Sequence, residues 1–195
     1  MTKISLKILS LILMFTALSC KKELETLIET DYKVIEFEYG FDNYMNNFRS
    51  ESDPFIIKER NIVIINTNKD GMVTIEDSFV EDSLITTELL KYIIPSPENE
   101  KMPITIEKEF ELSGKVIVNK NLIILAKFNE KLEYEKYRNI RKSIYSAYNK
   151  ARNEFSIKKF DKNLMELINS SEEDDITKWR EIRQAIPIQY TEIVQ

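Results

Sequence analysis

From Arg60 onward the chain alternates between short β-branched runs and longer stretches whose apolar residues recur every three or four positions. Ile62 to Ile65 and Met72 to Ile75 flank Asn68, Lys69, Asp70 and Gly71, and this spacing predicts two strands joined as a hairpin. The same letters can be laid on a calcium loop, with Asn66, Asn68, Asp70, Gly71 and Asp77 at its key positions. Such a loop needs a helix on both sides, whereas the upstream flank here is β-branched. The hairpin is the better reading. Next, Asp82 or Ser83 caps a predicted helix carrying Leu84, Ile85, Leu89, Leu90 and Ile93 before Pro95 and Pro97 stop it. A surface connection from Pro95 to Pro103 leads into a second group of strands. This group comprises Ile104 and Ile106 with Phe110 and Leu112, a turn at Gly114, then Val116 to Val118 and Leu122 to Leu125.

Residues 132–160 carry the strongest helical signal, with Tyr137, Ile140, Ile144, Ala147, Tyr148, Ala151 and Phe155 forming one apolar stripe. At 1.5 Å per residue such a helix is roughly 40 Å long, more than a small sheet needs to cover it. The excess is expected to project or to meet a partner. A last helix, Ser171 to Ala185, opens with acidic residues that suit the positive end of the helix dipole and places Ile176, Trp179 and Ile182 on one side. Pro187 ends it. The apolar tail Ile188 to Val194 is able to add a strand to a sheet edge, within the chain or from another copy.

The length of 195 residues, with 43% hydrophobic and 31% charged, allows one domain of ordinary size plus an export or anchoring segment. The absence of His removes Ser-His-Asp and Cys-His nucleophile pairs and His-based metal sites. The single cysteine, Cys20, leaves no intramolecular disulfide and no thiolate cluster. No cofactor or metal is expected.

Lys3 and Lys7 precede an uncharged apolar run, Ile8 to Ser19, the outline of a signal peptide. Spanning a bilayer core takes about 20 residues, so this run is too short for a lasting transmembrane helix. Its end at Ala17, Leu18, Ser19 and Cys20 resembles a bacterial lipoprotein signal, which implies lipid attachment at Cys20 and a mature chain beginning there. A plain secretory signal or an uncleaved anchor remains the alternative. Losing Lys3 and Lys7 takes the formal charge from -5 to -7, which makes nucleic acid a poor partner. Residues 131–160 run the other way, with nine Lys or Arg against three Glu, and predict a basic solvated helix face or a contact for an acidic protein or anionic headgroups. Upstream, Val34, Glu36 and Glu38 alternate with Ile35, Phe37 and Tyr39, a short strand or part of a tether, and Ser50 to Pro54 mark a boundary. The organisation expected is therefore a signal peptide at 1–19, a lipidated tether at 20–56 and a domain at 57–195.

Several pieces in order resemble the periplasmic domain of the ExbD/TolR biopolymer-transport family, in its longer Bacteroidetes form. They are IKERNIVIINTNKDGMVTIED, SGKVIVNKNLIILA, YEKYRNIRKSIYSAYNKARNEFSIKKF and the ending REIRQAIPIQYTEI. The resemblance implies an α+β, two-layer domain, a small mixed β-sheet with two or three packed helices, one of them long, that tends to dimerise in the periplasm. It also implies partners in the TonB/ExbB/ExbD system, or peptidoglycan as for the TolR branch. The family's proton-driven motor relies on an Asp in a membrane helix, and Ile8 to Ser19 contain nothing ionisable, so that role is not inherited. The expected function is thus a non-catalytic envelope lipoprotein that binds a transport-complex subunit or itself. A motor subunit with an uncleaved membrane helix is the runner-up. An enzyme would rest on carboxylates alone, with Asp70, Glu76, Asp77 and the cluster Glu172, Glu173, Asp174 and Asp175 as candidates, all in expected turns or at a helix start.

Overall fold

A computed structural model describes residues 58–195. The leader, Cys20, the alternating segment Val34 to Tyr39 and the Ser50 to Pro54 boundary lie outside the described residues. After one 3-10 turn, Glu59–Asn61, strand β1 (Ile62–Thr67) buries Val63, Ile65 and Thr67 on one face, and β2 (Val73–Ile75) returns antiparallel with Ile65 opposite Ile75. The turn closes because Asn68 Oδ1 accepts the N–H groups of Asp70 at 3.0 Å and Met72 at 2.9 Å, while Gly71 takes φ 76°. The hairpin forms, and the calcium-loop letters serve as its turn. A strand absent from the sequence reading, β3 (Ser78–Val80), follows through Glu76 and Asp77 at φ 48° and 63°. Two consecutive left-handed residues are what a tight two-residue hairpin turn requires, although Asn and Gly usually supply them.

Helix α1 (Ile85–Ile93) buries Ile85, Leu89 and Ile93. Neither predicted cap acts as one: a 3-10 turn at Asp82–Leu84 precedes the helix with no side-chain cap, Asp82 pairs with Lys136, and Leu84 is exposed. The second strand group splits. β4 (Thr105–Phe110) and β5 (Gly114–Asn119) form their own antiparallel pair, whereas β6 (Ile123–Phe128) runs parallel to β1 with Val63 opposite Ile124. Asn121, at φ 60°, turns the chain from one sheet into the other. The tail becomes β7 (Tyr190–Val194), parallel to β6, and the main sheet has the mixed order β3-β2-β1-β6-β7. The expected strand addition takes place within the chain.

Helix α2 (Tyr134–Phe160) has the predicted stripe, with Ile140, Ile144, Ala147, Tyr148 and Ala151 buried. Its Ser143 carbonyl accepts the Thr86 hydroxyl of α1 at 3.1 Å, so the two helices form one layer over the Val63–Ile65 face. The length beyond the sheet does not project. Phe155 and Phe160 meet Leu164 and Leu167 of a short helix, α3 (Leu164–Asn169), and Trp179 and Ile182 of α4 (Glu173–Ala185). The sequence reading missed α3, which Asn163 opens with a capping box to Glu166. Of the expected stripe on α4, Trp179 and Ile182 pack inward, but Ile176 is exposed and Asp175 is buried, because the helix turns that carboxylate inward to receive Lys162. The architecture is the expected α+β, with a mixed sheet, a second small sheet and one long helix. No helix among the described residues is long and apolar enough to cross a membrane.

Candidate functional site

The outer edge of the main sheet carries a cluster of tyrosines, an arginine and a carboxylate. In a parallel pair alternate residues of a strand bond toward its neighbour. Ile124 donates to the Gln189 carbonyl and Gln195 donates to that of Phe128, each at 2.9 Å, so the backbone groups of Tyr190, Glu192 and Val194 point away from β6. No described strand pairs with them. Ile193 and Val194 on this edge are 45% and 71% exposed, and the strand carries neither Pro nor Lys to blunt it.

Behind the edge, Glu192 is held by α2. Its carboxylate accepts the Tyr137 hydroxyl at 2.7 Å and that of Tyr190 at 2.5 Å, and Arg141 Nε stands 3.4 Å away. The Arg141 guanidinium also lies 5.3 Å from the centre of the Tyr137 ring, and Tyr145 meets Tyr190 edge-on at 6.2 Å. Burial, then the bond to Glu192, pushes the Tyr137 hydroxyl up to about 12. Burial and the Glu192 charge push Tyr190 up further still. For Arg141, burial opposes the charge, but Glu192 and the three tyrosines outweigh it and hold the guanidinium more firmly protonated. Tyr137 and Tyr190 are therefore neutral hydrogen-bond donors to Glu192 at ordinary pH. The cluster fixes Glu192 and with it the direction of β7.

A second polar group ties the small sheet to the helices. Glu181 of α4, buried, accepts the N–H groups of Leu112 at 2.7 Å and Ser113 at 2.8 Å, together with the Ser113 hydroxyl. Lys159 of α2 donates to the Ser113 carbonyl at 3.1 Å. At the other end of the small sheet, Asn119 donates to the carbonyls of Tyr92 and Ile93, each at 2.8 Å, and caps the end of α1. The sequence reading found neither Glu192 nor Glu181. The one signal in the letters was a carboxylate inside an otherwise apolar strand or beside a buried helix position.

The carboxylates weighed for catalysis are scattered. Asp70 is exposed in the first hairpin turn, Glu76 accepts the Ile64 N–H at 2.6 Å, Asp77 occupies the second turn, and Glu172 to Asp174 are exposed at the start of α4. Asp175 is apart from them, paired with Lys162 at 2.8 Å and Lys178 at 3.2 Å. Among the described residues no group of three or more Asp, Glu, His or Cys is placed to hold a metal ion. Part of the basic stretch is used internally: Lys136 pairs with Asp82, Arg138 with Glu135 and Arg141 with Glu192, and Arg152 is buried and donates to the Ile186 carbonyl at 3.0 Å, while Lys131, Lys142, Lys150 and Lys158 are exposed. Cys20 lies outside the described residues. No family model matches the chain, and no curated protein matches it.

Proposed function

We propose that this chain is an envelope lipoprotein whose ExbD/TolR-like domain works by binding, as a non-catalytic accessory of a TonB-type energy-transduction or biopolymer-transport complex. Cys20 carries the lipid, the domain stands in the periplasm, and the partner is a subunit of the TonB/ExbB/ExbD system or a second copy of the chain. The observation that supports binding is the outer edge of β7. Glu192 and Val194 turn their backbone groups away from β6 at the last described strand of the sheet, beside exposed Ile193, and the Tyr137–Arg141–Glu192 cluster holds that edge in place. An ordered, unpaired strand edge is the usual template for adding a strand from another chain.

Crosslinking in living cells followed by co-purification tests the reading. Recovery of a transport-complex subunit is expected, and its loss on Val194→Pro, which removes an N–H that points away from β6 and leaves the β6–β7 bonds in place, locates the contact. Recovery of neither a transport subunit nor a second copy counts against the proposal. Palmitate labelling abolished by Cys20→Ala is the expected sign of the anchor. An intact Met1 in membrane fractions would instead favour a motor subunit with an uncleaved helix.

A further inference from the structure

The ribbon β4–β5 is fastened at its two ends and only lightly between them. Its strands pair through six positions, from Thr105 opposite Asn119 at the base to Phe110 opposite Gly114 beside the tip, and no third described strand joins it. Six residues of strand make an arm about 20 Å long. At the base, Asn61 donates to the Lys120 carbonyl at 2.7 Å and accepts the Ile104 N–H at 2.8 Å, while Asn119 is bonded to the end of α1. Val118, one step in from the base, is the only buried strand position of the ribbon. Beyond it, residues 107–117 contain one buried residue, Ser113, and that residue is polar. Phe110 and Val116, on the same face as Val118, are half-buried. The outer part of the ribbon is therefore held chiefly by a clasp at its tip. There the Glu181 carboxylate accepts both N–H groups and the Ser113 hydroxyl, and Lys159 donates to the Ser113 carbonyl.

We propose that residues 107–117 form a hinged arm, clasped to α4 by Glu181, that swings out while the rest of the domain stays folded. A hairpin has both its connections at one end, so only the clasp and the half-buried underside oppose rotation about the base. The two positions of the arm are close in free energy. Closing gives Glu181 charge-assisted hydrogen bonds, which are shorter and stronger than neutral ones. Opening returns a buried carboxylate to water, and its hydration offsets much of what those bonds contribute. Beyond the base the movement uncovers no fully buried apolar side chain, whereas lifting β1 would uncover both Val63 and Ile65. The ladder between β4 and β5 needs no partner outside the ribbon, so the arm keeps its own hydrogen bonds as it moves. Once open, the arm presents Phe110 and Val116, and α4 presents the Glu181 carboxylate. The domain can thus change the surface it offers by a local opening that leaves its main sheet intact.

The test uses the full chain carrying Cys20→Ser, with spin labels on Glu109→Cys in the arm and Arg180→Cys on α4, both exposed positions. Glu181→Gln replaces one accepting oxygen by an amide nitrogen, a donor facing donors. In that variant the distance between the labels is expected to gain a second population about 10 Å longer, half the length of the arm. With Glu181 in place, the amides of Leu112 and Ser113 should exchange together, at least about tenfold faster than those of β1. They should do so with little dependence on added denaturant, the sign of an opening that exposes little surface. Glu181→Gln should speed both by about a further tenfold and affect β1 far less. An unchanged label distance in Glu181→Gln, with the Leu112 and Ser113 amides deprotected, overturns the arm in favour of a turn that frays in place. Exchange of Leu112 and Ser113 at the rate and denaturant dependence of β1 also overturns it, even if Glu181→Gln fails to fold.

Discussion

The two ends of α2 pack by different means. From Ile140 to Ala151 its buried side chains are aliphatic or tyrosine, set against β1, β6 and α1. From Arg152 to Phe160 they include a guanidinium that donates to the Ile186 carbonyl and lies 5.3 Å from the Trp179 ring centre, and a serine that donates to the Lys162 carbonyl at 2.7 Å. The first region is held by burial of contiguous apolar surface, which has no preferred direction. The second has a cluster of only three buried hydrophobic residues, Leu164, Leu167 and Ile182, with partly buried aromatics around it. There, directional bonds from Arg152, Asp175 and Glu181 decide how α3 and α4 sit. A small core can thus be made specific by satisfied charges, at the cost of dependence on each of them.

The largest effect should come from the aliphatic region. Ile144→Ala removes a side chain that is 0% exposed and should lower stability by about 2–5 kcal/mol, read by chemical denaturation as an earlier midpoint for the whole domain. A loss confined to α3 and α4 would erase the contrast between the two ends. Next, Glu181→Ala leaves the N–H groups of Leu112 and Ser113 without their acceptor and should cost about 1–3 kcal/mol. Amide exchange should speed up at the β4–β5 turn and in α4 before it changes in β1. Gly71→Ala places a side chain at φ 76° with its Cβ 3.1 Å from Lys136, and should cost about 1–2 kcal/mol without altering that order of opening.

The smallest effect is a pH response confined to the second region. Hydrogen bonds from Lys162, then the Ser170 hydroxyl and Lys178, hold the Asp175 carboxyl down at about 2 against an ordinary value of 3.8. Its folded value lies below its unfolded one, so the contribution is complete above about pH 4 and is lost as pH falls toward 2. Trp179 fluorescence should report loosening of the α3–α4 corner in that window, and Asp175→Asn should remove the response. An unchanged response in Asp175→Asn would assign it to other carboxylates.

Local rules reach the first hairpin, α1, α2 and the closing strand, because each is written in consecutive residues. Asn68 and Gly71 encode their turn, and the stripe from Tyr137 to Phe155 encodes the buried side of α2. Strand partnership is not written locally. Nothing near Ile123 says that it lies beside Ile62 while Val118 lies beside Ile106 in another sheet. Helix α3, at six residues, falls below the length at which apolar periodicity is visible, and Asn163 with Glu166 was its only mark. The candidate edge was legible in part, since the tail from Ile188 was expected to pair. Its supporting cluster was not, because Tyr137, Arg141 and Glu192 converge from elements some fifty residues apart, where charge counting reads only a basic surface.

Strand β1 has β6 as its parallel neighbour, and β6 in turn has β7, so two joints of the main sheet unite residues more than sixty positions apart. Large loops must close before those joints contribute anything, and the last of them waits for residues near 190 to be synthesised. The main sheet therefore stays incomplete until β7 has been made.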